Sequence, residues 1–231
     1  MEEVSRQEKK FLISVEEFIR CSHQLEQVLI QDKHNGTDGY RIRSLYFDTL
    51  DNKDFVEKEE GIETRKKIRL RLYDPSGDFA MLEMKQKQGM YQKKRSLRME
   101  REDAIELTKG NYSVLLKYDS PFAAECFGVM NCGCYIPRTI VEYKRKAFIA
   151  KENRIRITFD HNIEATESCF HLFDEHLNMY PVWDRALTVL EVKYNGFLLS
   201  YIRELINQIS RSELSVSKYC LARSVSMRYV F

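Results

Sequence analysis

Cationic side chains spaced two residues apart define the chemistry open to this chain. Lys67, Arg69 and Arg71 alternate with Ile68, Leu70 and Leu72. Side chains in a strand point alternately to its two faces, so one face here is wholly cationic and the other wholly aliphatic. Asp74-Pro75-Ser76-Gly77 has the residue types of a tight turn. Beyond it the pattern repeats, with Glu83, Lys85 and Lys87 set against Leu82 and Met84. Arginine forks onto phosphate oxygens and lysine adds a point charge, so such a face suits several neighbouring anionic groups. Phosphoryl transfer needs mainly positioning and charge neutralisation, with a divalent metal bridging phosphate oxygens. Carboxylates that suit a hard metal ion stand on charged strands as Glu8, Glu83, Glu142 and Glu191. Glu191 stands out because it shares its face with Lys193 among apolar residues.

One such hairpin would look the same if its charged side were simply solvated. Residues 139–146, 154–160 and 189–194 repeat the theme, the last two with long charged side chains again alternating with Ile, Phe, Leu or Val. A sheet charged on one face of nearly every strand wants that face around something anionic. The expected fold is α+β: a closed antiparallel β-barrel with a charged lumen and helices packed on its aliphatic outside. Ser14-Val-Glu-Glu17 fits a capping box and opens a helix to about Ile30. Further helices are expected over 102–107, 112–127 and 197–209, with Pro121 breaking or kinking the second. Residues 128–137 read as a loop, 161–186 show no clear period, and 214–223 read as a loop entering a short helix. The whole chain, 1–231, is expected to be one domain.

The 37 basic and 35 acidic residues nearly cancel, leaving +2, so a generally basic nucleic-acid binder is not indicated. An anion site must come from sorting charges in space. The six cysteines show no secreted disulfide framework, and Cys132-Gly-Cys134 alone is a weak metal signal. No signal peptide and no apolar run of roughly 18 residues is seen, which reads as a cytoplasmic protein. Neither a Walker-type phosphate loop, a dinucleotide fingerprint nor a G-x-S-x-G elbow is present.

Eight segments in order carry a resemblance: Glu8-x-Lys10-Phe11, Ser44-Leu-Tyr-Phe-Asp-Thr49, Ile68-Arg-Leu-Arg71, Leu82-Glu-x-Lys85, Tyr143-Lys-Arg-Lys-Ala-Phe148, Arg154-Ile-Arg-Ile-Thr-Phe-Asp160, Leu190-Glu-Val-Lys193 and Ser217-Lys-Tyr219. The chain resembles the VTC domain, the polyphosphate polymerase domain of the vacuolar transporter chaperone complex, within the CYTH or triphosphate tunnel metalloenzyme superfamily. The resemblance implies a tunnel that binds ATP or triphosphate with Mn²⁺ or Mg²⁺ and transfers the γ-phosphate to a growing polyphosphate chain. It implies phosphate contacts by Lys10, Arg69, Arg71, Lys85, Arg145, Arg156, Lys193 and Lys218, with one of Lys94 and Arg98. Of these, Arg69, Arg71, Lys85 and Lys193 would act in catalysis with Glu191, and Glu191 and Glu8 would be metal carboxylates. Arg145 falls on the opposite parity from Glu142 and Lys144, so its place on the charged face asks for a bulge. The Glu-x-Glu-x-Lys frame of triphosphatase relatives reads Arg6-Gln-Glu8-Lys-Lys10 here, which favours the polymerase branch. A triphosphatase of inorganic or nucleoside triphosphates, or a non-catalytic module binding polyphosphate or inositol phosphate, are the alternatives. Eukaryotic relatives work with membrane subunits, so a membrane partner protein is possible for a chain without a span of its own.

Overall fold

A computed structural model describes residues 6–89, 91–209 and 217–227. The side chain of Arg6 and residues 214–216 of the expected C-terminal loop lie outside the described residues.

The strands follow the alternating pattern. They are β1 (Arg6–Ser14), β2 (Ile30–Gln31), β3 (Tyr40–Asp48), β4 (Thr64–Leu72), β5 (Phe79–Gln88), β6 (Tyr91–Glu100), β7 (Ile136–Ile149), β8 (Arg156–Thr166), β9 (Tyr180–Pro181) and β10 (Leu187–Asn195). All ten belong to one antiparallel sheet, hydrogen-bonded in the order β1-β10-β8-β7-β3-β4-β5-β6, with β2 on β7 and β9 on β8. The sheet is not closed into a barrel: among the described residues no pairing joins β1 to β6, which corrects the closed barrel expected from the sequence. Alternation sets which face a side chain takes but says nothing about whether edge strands meet. The β6 edge carries Lys93, Lys94, Arg95 and Arg98, and like charges on an edge strand discourage a further pairing.

The chain forms two compact units, one of residues 1–41, 143–163 and 183–216, the other of residues 42–142, 164–182 and 217–231. In the first, Ile13, Phe148, Ile157, Phe159, Leu190 and Val192 form the buried sheet face. Helices α1 (Val15–Val28) and α5 (Ser200–Asn207) cover it through Cys21, Leu25 and Ile202. The capping box at the start of α1 is present, with Glu17 N–H donating to Ser14 Oγ at 3.1 Å and Ser14 N–H donating to Glu17 Oε2 at 3.0 Å.

In the second unit, Leu45, Phe47, Ile68, Leu70, Leu82 and Met84 are buried under α3 (Arg101–Thr108), a 3-10 turn at Tyr112–Lys117, and α4 (Pro121–Cys132). Pro121 begins α4 at its first turn, where its missing N–H costs nothing, so it starts a helix instead of kinking one. That helix runs through part of the stretch read as a loop. The β4–β5 turn forms as expected, with Gly77 N–H donating to Asp74 O at 3.1 Å. Two further helices, α2 (Lys53–Glu59) and α6 (Lys218–Met227), complete this unit.

Candidate functional site

The polar faces of the strands hold two sets of charged residues, one in each unit. In the second unit the register fixes the rows across β3, β4, β5 and β6. Lys67 lies opposite Lys85, and Lys85 opposite Lys94. One step along, Tyr46, Arg69, Glu83 and Ser96 align, and beyond them Ser44, Arg71, Met81 and Arg98. A row of three lysines is unfavourable without an anion, because like charges on adjacent strands repel.

Glu83 is the organiser of this set. It is 5% exposed and accepts from Arg69 Nε at 2.8 Å and from Lys94 Nζ at 2.5 Å, with Arg69 Nη2 at 2.6 Å and Arg71 Nη1 at 3.8 Å. Burial works against its charge, but Arg69, Arg71 and Lys94 outweigh burial and hold the carboxyl down at about 2. Lys94 and Arg98 both occupy the site face, and they do different things. Lys94 joins the Glu83 cluster, whereas Arg98 stacks 4.1 Å over the Phe79 ring.

Sequence reasoning missed Tyr46 and Asp48 as part of this set. Tyr46 Oη accepts from Arg69 Nη1 at 2.8 Å. Burial favours the neutral phenol, but Arg69, Arg71 and Lys67 together hold Tyr46 below the ordinary tyrosine range. The Tyr46 ring stacks on Tyr219 at 5.2 Å, and Tyr219 donates to the fully buried Asp48 at 2.6 Å. Lys67 Nζ donates to Ser217 Oγ at 2.5 Å. The Ser217-Lys218-Tyr219 segment is therefore fastened to β3 and β4 on both sides of Lys218. The signal was available: Tyr46 and Asp48 have the parity that faces Arg69 and Lys67.

In the first unit, Glu8, Lys193 and Arg156 form one row across β1, β10 and β8, and Lys10, Glu191 and Thr158 the next. Lys193 bridges both carboxylates, in direct contact with Glu191 and 3.8 Å from Glu8, while Lys10 lies 3.0 Å from Glu8. Arg156 contacts Asp32 at 3.3 Å and Tyr40 Oη at 3.1 Å. Arg145 grips the fully buried Asp160 through Nε at 2.6 Å and Nη2 at 2.8 Å. Gly39, at φ +89°, lies so close to the Arg145 carbonyl that no side chain fits there.

Arg145 needs no bulge to reach this face. Glu142, Lys144 and Lys146 belong to the opposite one, where they pair with Arg43, Asp38 and Glu26. Glu142 is thereby removed from the carboxylates that could hold a metal, and so is Glu83 by its three cations. Cys132 and Cys134 are exposed free thiols.

Orphaned polar atoms lie on both faces. Arg71 Nε and Ser44 Oγ in one unit, and Arg156 Nε and Thr158 Oγ1 in the other, are buried without a hydrogen-bond partner among the described residues. Buried polar groups are ordinarily satisfied, so these atoms suit a ligand rich in acceptor oxygens. For a metal, the donor set is Glu8 and Glu191, and no group of three or more His, Cys, Asp or Glu able to hold one occurs among the described residues. Two carboxylates fit an ion such as Mg²⁺, which takes its remaining ligands from water and substrate phosphates.

An antiparallel sheet with charge sorted onto one face and helices over the other defines the class. Consistent with it, the structure is similar to bh2851 of Bacillus halodurans, a candidate adenylate cyclase, with a TM-score of 0.54 and 13% identity over 92% of this chain and 95% of that one. A weaker likeness, TM-score 0.44 and 11% identity, links it to the PH1819 protein of Pyrococcus horikoshii OT3, covering 96% of this chain and 100% of that one. No curated protein matches the sequence. The VTC domain family matches residues 5–227, and the chain belongs to that family. No helix among the described residues is long and apolar enough to cross a membrane.

Proposed function

We propose that this VTC-domain protein is a phosphotransferase of the polyphosphate polymerase type. A terminal phosphate oxygen of the growing chain attacks the γ-phosphorus of ATP, the bond to the β-phosphate oxygen breaks, and ADP leaves. The observation that carries the reading is the Lys67–Lys85–Lys94 row beside Arg69 and Arg71, with the Glu83 carboxylate inserted among them. A set so rich in aligned cations is stable and useful with a multiply charged phosphate ligand upon it.

Glu83 presets the guanidiniums of Arg69 and Arg71 and the ammonium of Lys94. They then meet phosphate oxygens without reorganising, which is where electrostatic catalysis gains most. In the first unit, Lys10, Lys193 and Arg156 supply further phosphate contacts, and Arg145 is oriented by Asp160. Glu8 and Glu191 would hold Mn²⁺ or Mg²⁺ once Lys193 turns to phosphate, and the ion would neutralise charge on the phosphate oxygens. Incubation with ATP labelled at the γ-phosphate tests the reading: label in nuclease-resistant chains supports it, and release only as orthophosphate makes the protein a triphosphatase.

A further inference from the structure

On the second unit's outer face, the apolar rows of the sheet stop at Ile68, Met84 and Arg95. The strands continue beyond helix cover, and the next row is Lys66, Gln86 and Lys93. With α2 alongside, these residues line a trough of about 530 Å³ whose cations are Lys53, Arg65, Lys66, Lys87 and Lys93. Among the described residues the lone carboxylate lining it, Glu57, is spent on Lys53 at 3.9 Å, and Lys66 reaches Asp54 outside the lining at 4.0 Å. Neither Lys87 nor Lys93 has a carboxylate within ion-pair distance among the described residues. So many cations around so few carboxylates would repel one another in the absence of an anion.

The placement of the trough identifies what lies in it. Arg65 and Lys87 form the row that follows Lys67 and Lys85 on the site face, opposite to the face of Lys66 and Gln86, and both also line the trough, so the trough lies where the cation column of the site ends. Residues two apart in a strand are about 6.6 Å apart, so the column extends as a line. Gln88 supplies a neutral amide donor, and Tyr91 is the only aromatic in the lining among the described residues. A single-strand nucleic acid wants a series of aromatic platforms for its bases, which this lining lacks.

We infer that the trough is a second binding site, for an extended segment of inorganic polyphosphate beyond the phosphates held at Arg69, Arg71 and Lys94. This rests on the polyphosphate reading of that site. The trough guides the chain away from the site and holds it between additions.

The test compares the binding of tripolyphosphate, long-chain polyphosphate and oligo(dT) to the full chain and to Lys53→Ala/Lys93→Ala, two exposed residues outside the site. The double variant is expected to bind long chains about tenfold more weakly, with a shallower salt dependence, and tripolyphosphate as before. Arg71→Ala is expected to lose tripolyphosphate and keep part of its long-chain binding. Unchanged long-chain affinity in the double variant, an equal loss for both phosphates, or oligo(dT) bound as tightly as polyphosphate would each overturn the inference. If tripolyphosphate fails to bind the unaltered protein while long-chain binding still depends on Lys53 and Lys93, the site reading falls and the trough stands.

Discussion

Arg69 and Glu83 face each other across β4 and β5, with both Nε and Nη2 of the arginine within 2.8 Å of one carboxylate oxygen. Glu83 is buried and Arg69 half-buried, and Arg71 and Lys94 complete the cage. A buried carboxylate that neutralises several cations stands where a phosphate would otherwise be needed.

Glu83→Gln leaves three cations without their anion, and because Arg69 and Lys94 are partly solvated the loss should fall below the ~3–5 kcal/mol of a fully buried pair. Tripolyphosphate is expected to restore much of the loss, so the variant's melting temperature should rise more with this ligand than the unaltered protein's does. Thermal melts with and without tripolyphosphate check this, and equal shifts for both proteins count against it. The pH sign follows from the depressed carboxyl. Its stabilisation is complete above about 4.5 and is lost as pH falls towards about 2.

Asp54 behaves oppositely. Burial, and then the neighbouring Asp48 carboxylate, push it up to about 7 against the pull of Lys66 and Tyr135. The folded chain keeps a proton that the unfolded chain releases above about 3.8, so stability falls as pH rises from there to about 7. Asp54→Asn should flatten this slope and be the more stable protein at pH about 8, by up to a few kcal/mol. Denaturant unfolding at pH about 5 and 8 measures it. An unchanged slope in the variant would refute the assignment.

Tyr219→Phe removes one of four donors to Asp48, whose carboxylate also accepts from the Thr49, Asp54 and Phe55 amides. A hydrogen bond to a charged group contributes about 1.5–3 kcal/mol, and the variant should lose about that much. Lys218 then sits on a loosened anchor, so tripolyphosphate affinity should fall as well. Calorimetric titration beside a stability measurement tests the pair of effects. A stability loss with undiminished affinity would mean that Tyr219 does not position Lys218.

Much of this was legible in the alternation of residues. The parity of Lys67, Arg69, Arg71, Lys85 and Lys193 follows from strand geometry, as does the aliphatic face beneath the helices. Parity alone could not rank Lys94 against Arg98, because both face the same way and only the neighbours differ: Glu83 for one, Phe79 for the other. The expected bulge at Arg145 assumed that every charge on β7 serves the site. Glu142, Lys144 and Lys146 instead pair with Arg43, Asp38 and Glu26, partners distant in sequence and invisible to local periodicity. Sheet closure is non-local in the same sense, since it depends on whether β1 and β6 meet and not on any pattern within them.

Glu191→Gln separates turnover from binding. The cationic residues remain, so tripolyphosphate should bind at least as tightly. Charge neutralisation by a divalent ion contributes several kcal/mol to the transition state, so turnover should fall by about a hundredfold or more. Binding and turnover that fall together would argue that Glu191 acts only by holding Lys193.

The most direct measurement follows the γ-phosphate of labelled ATP with the purified protein and Mn²⁺. The polymerase reading predicts label in long chains that resist nuclease and disappear with an exopolyphosphatase, with Arg71→Ala abolishing their formation. Label released solely as orthophosphate, or no turnover in a protein that tripolyphosphate still stabilises, would contradict it.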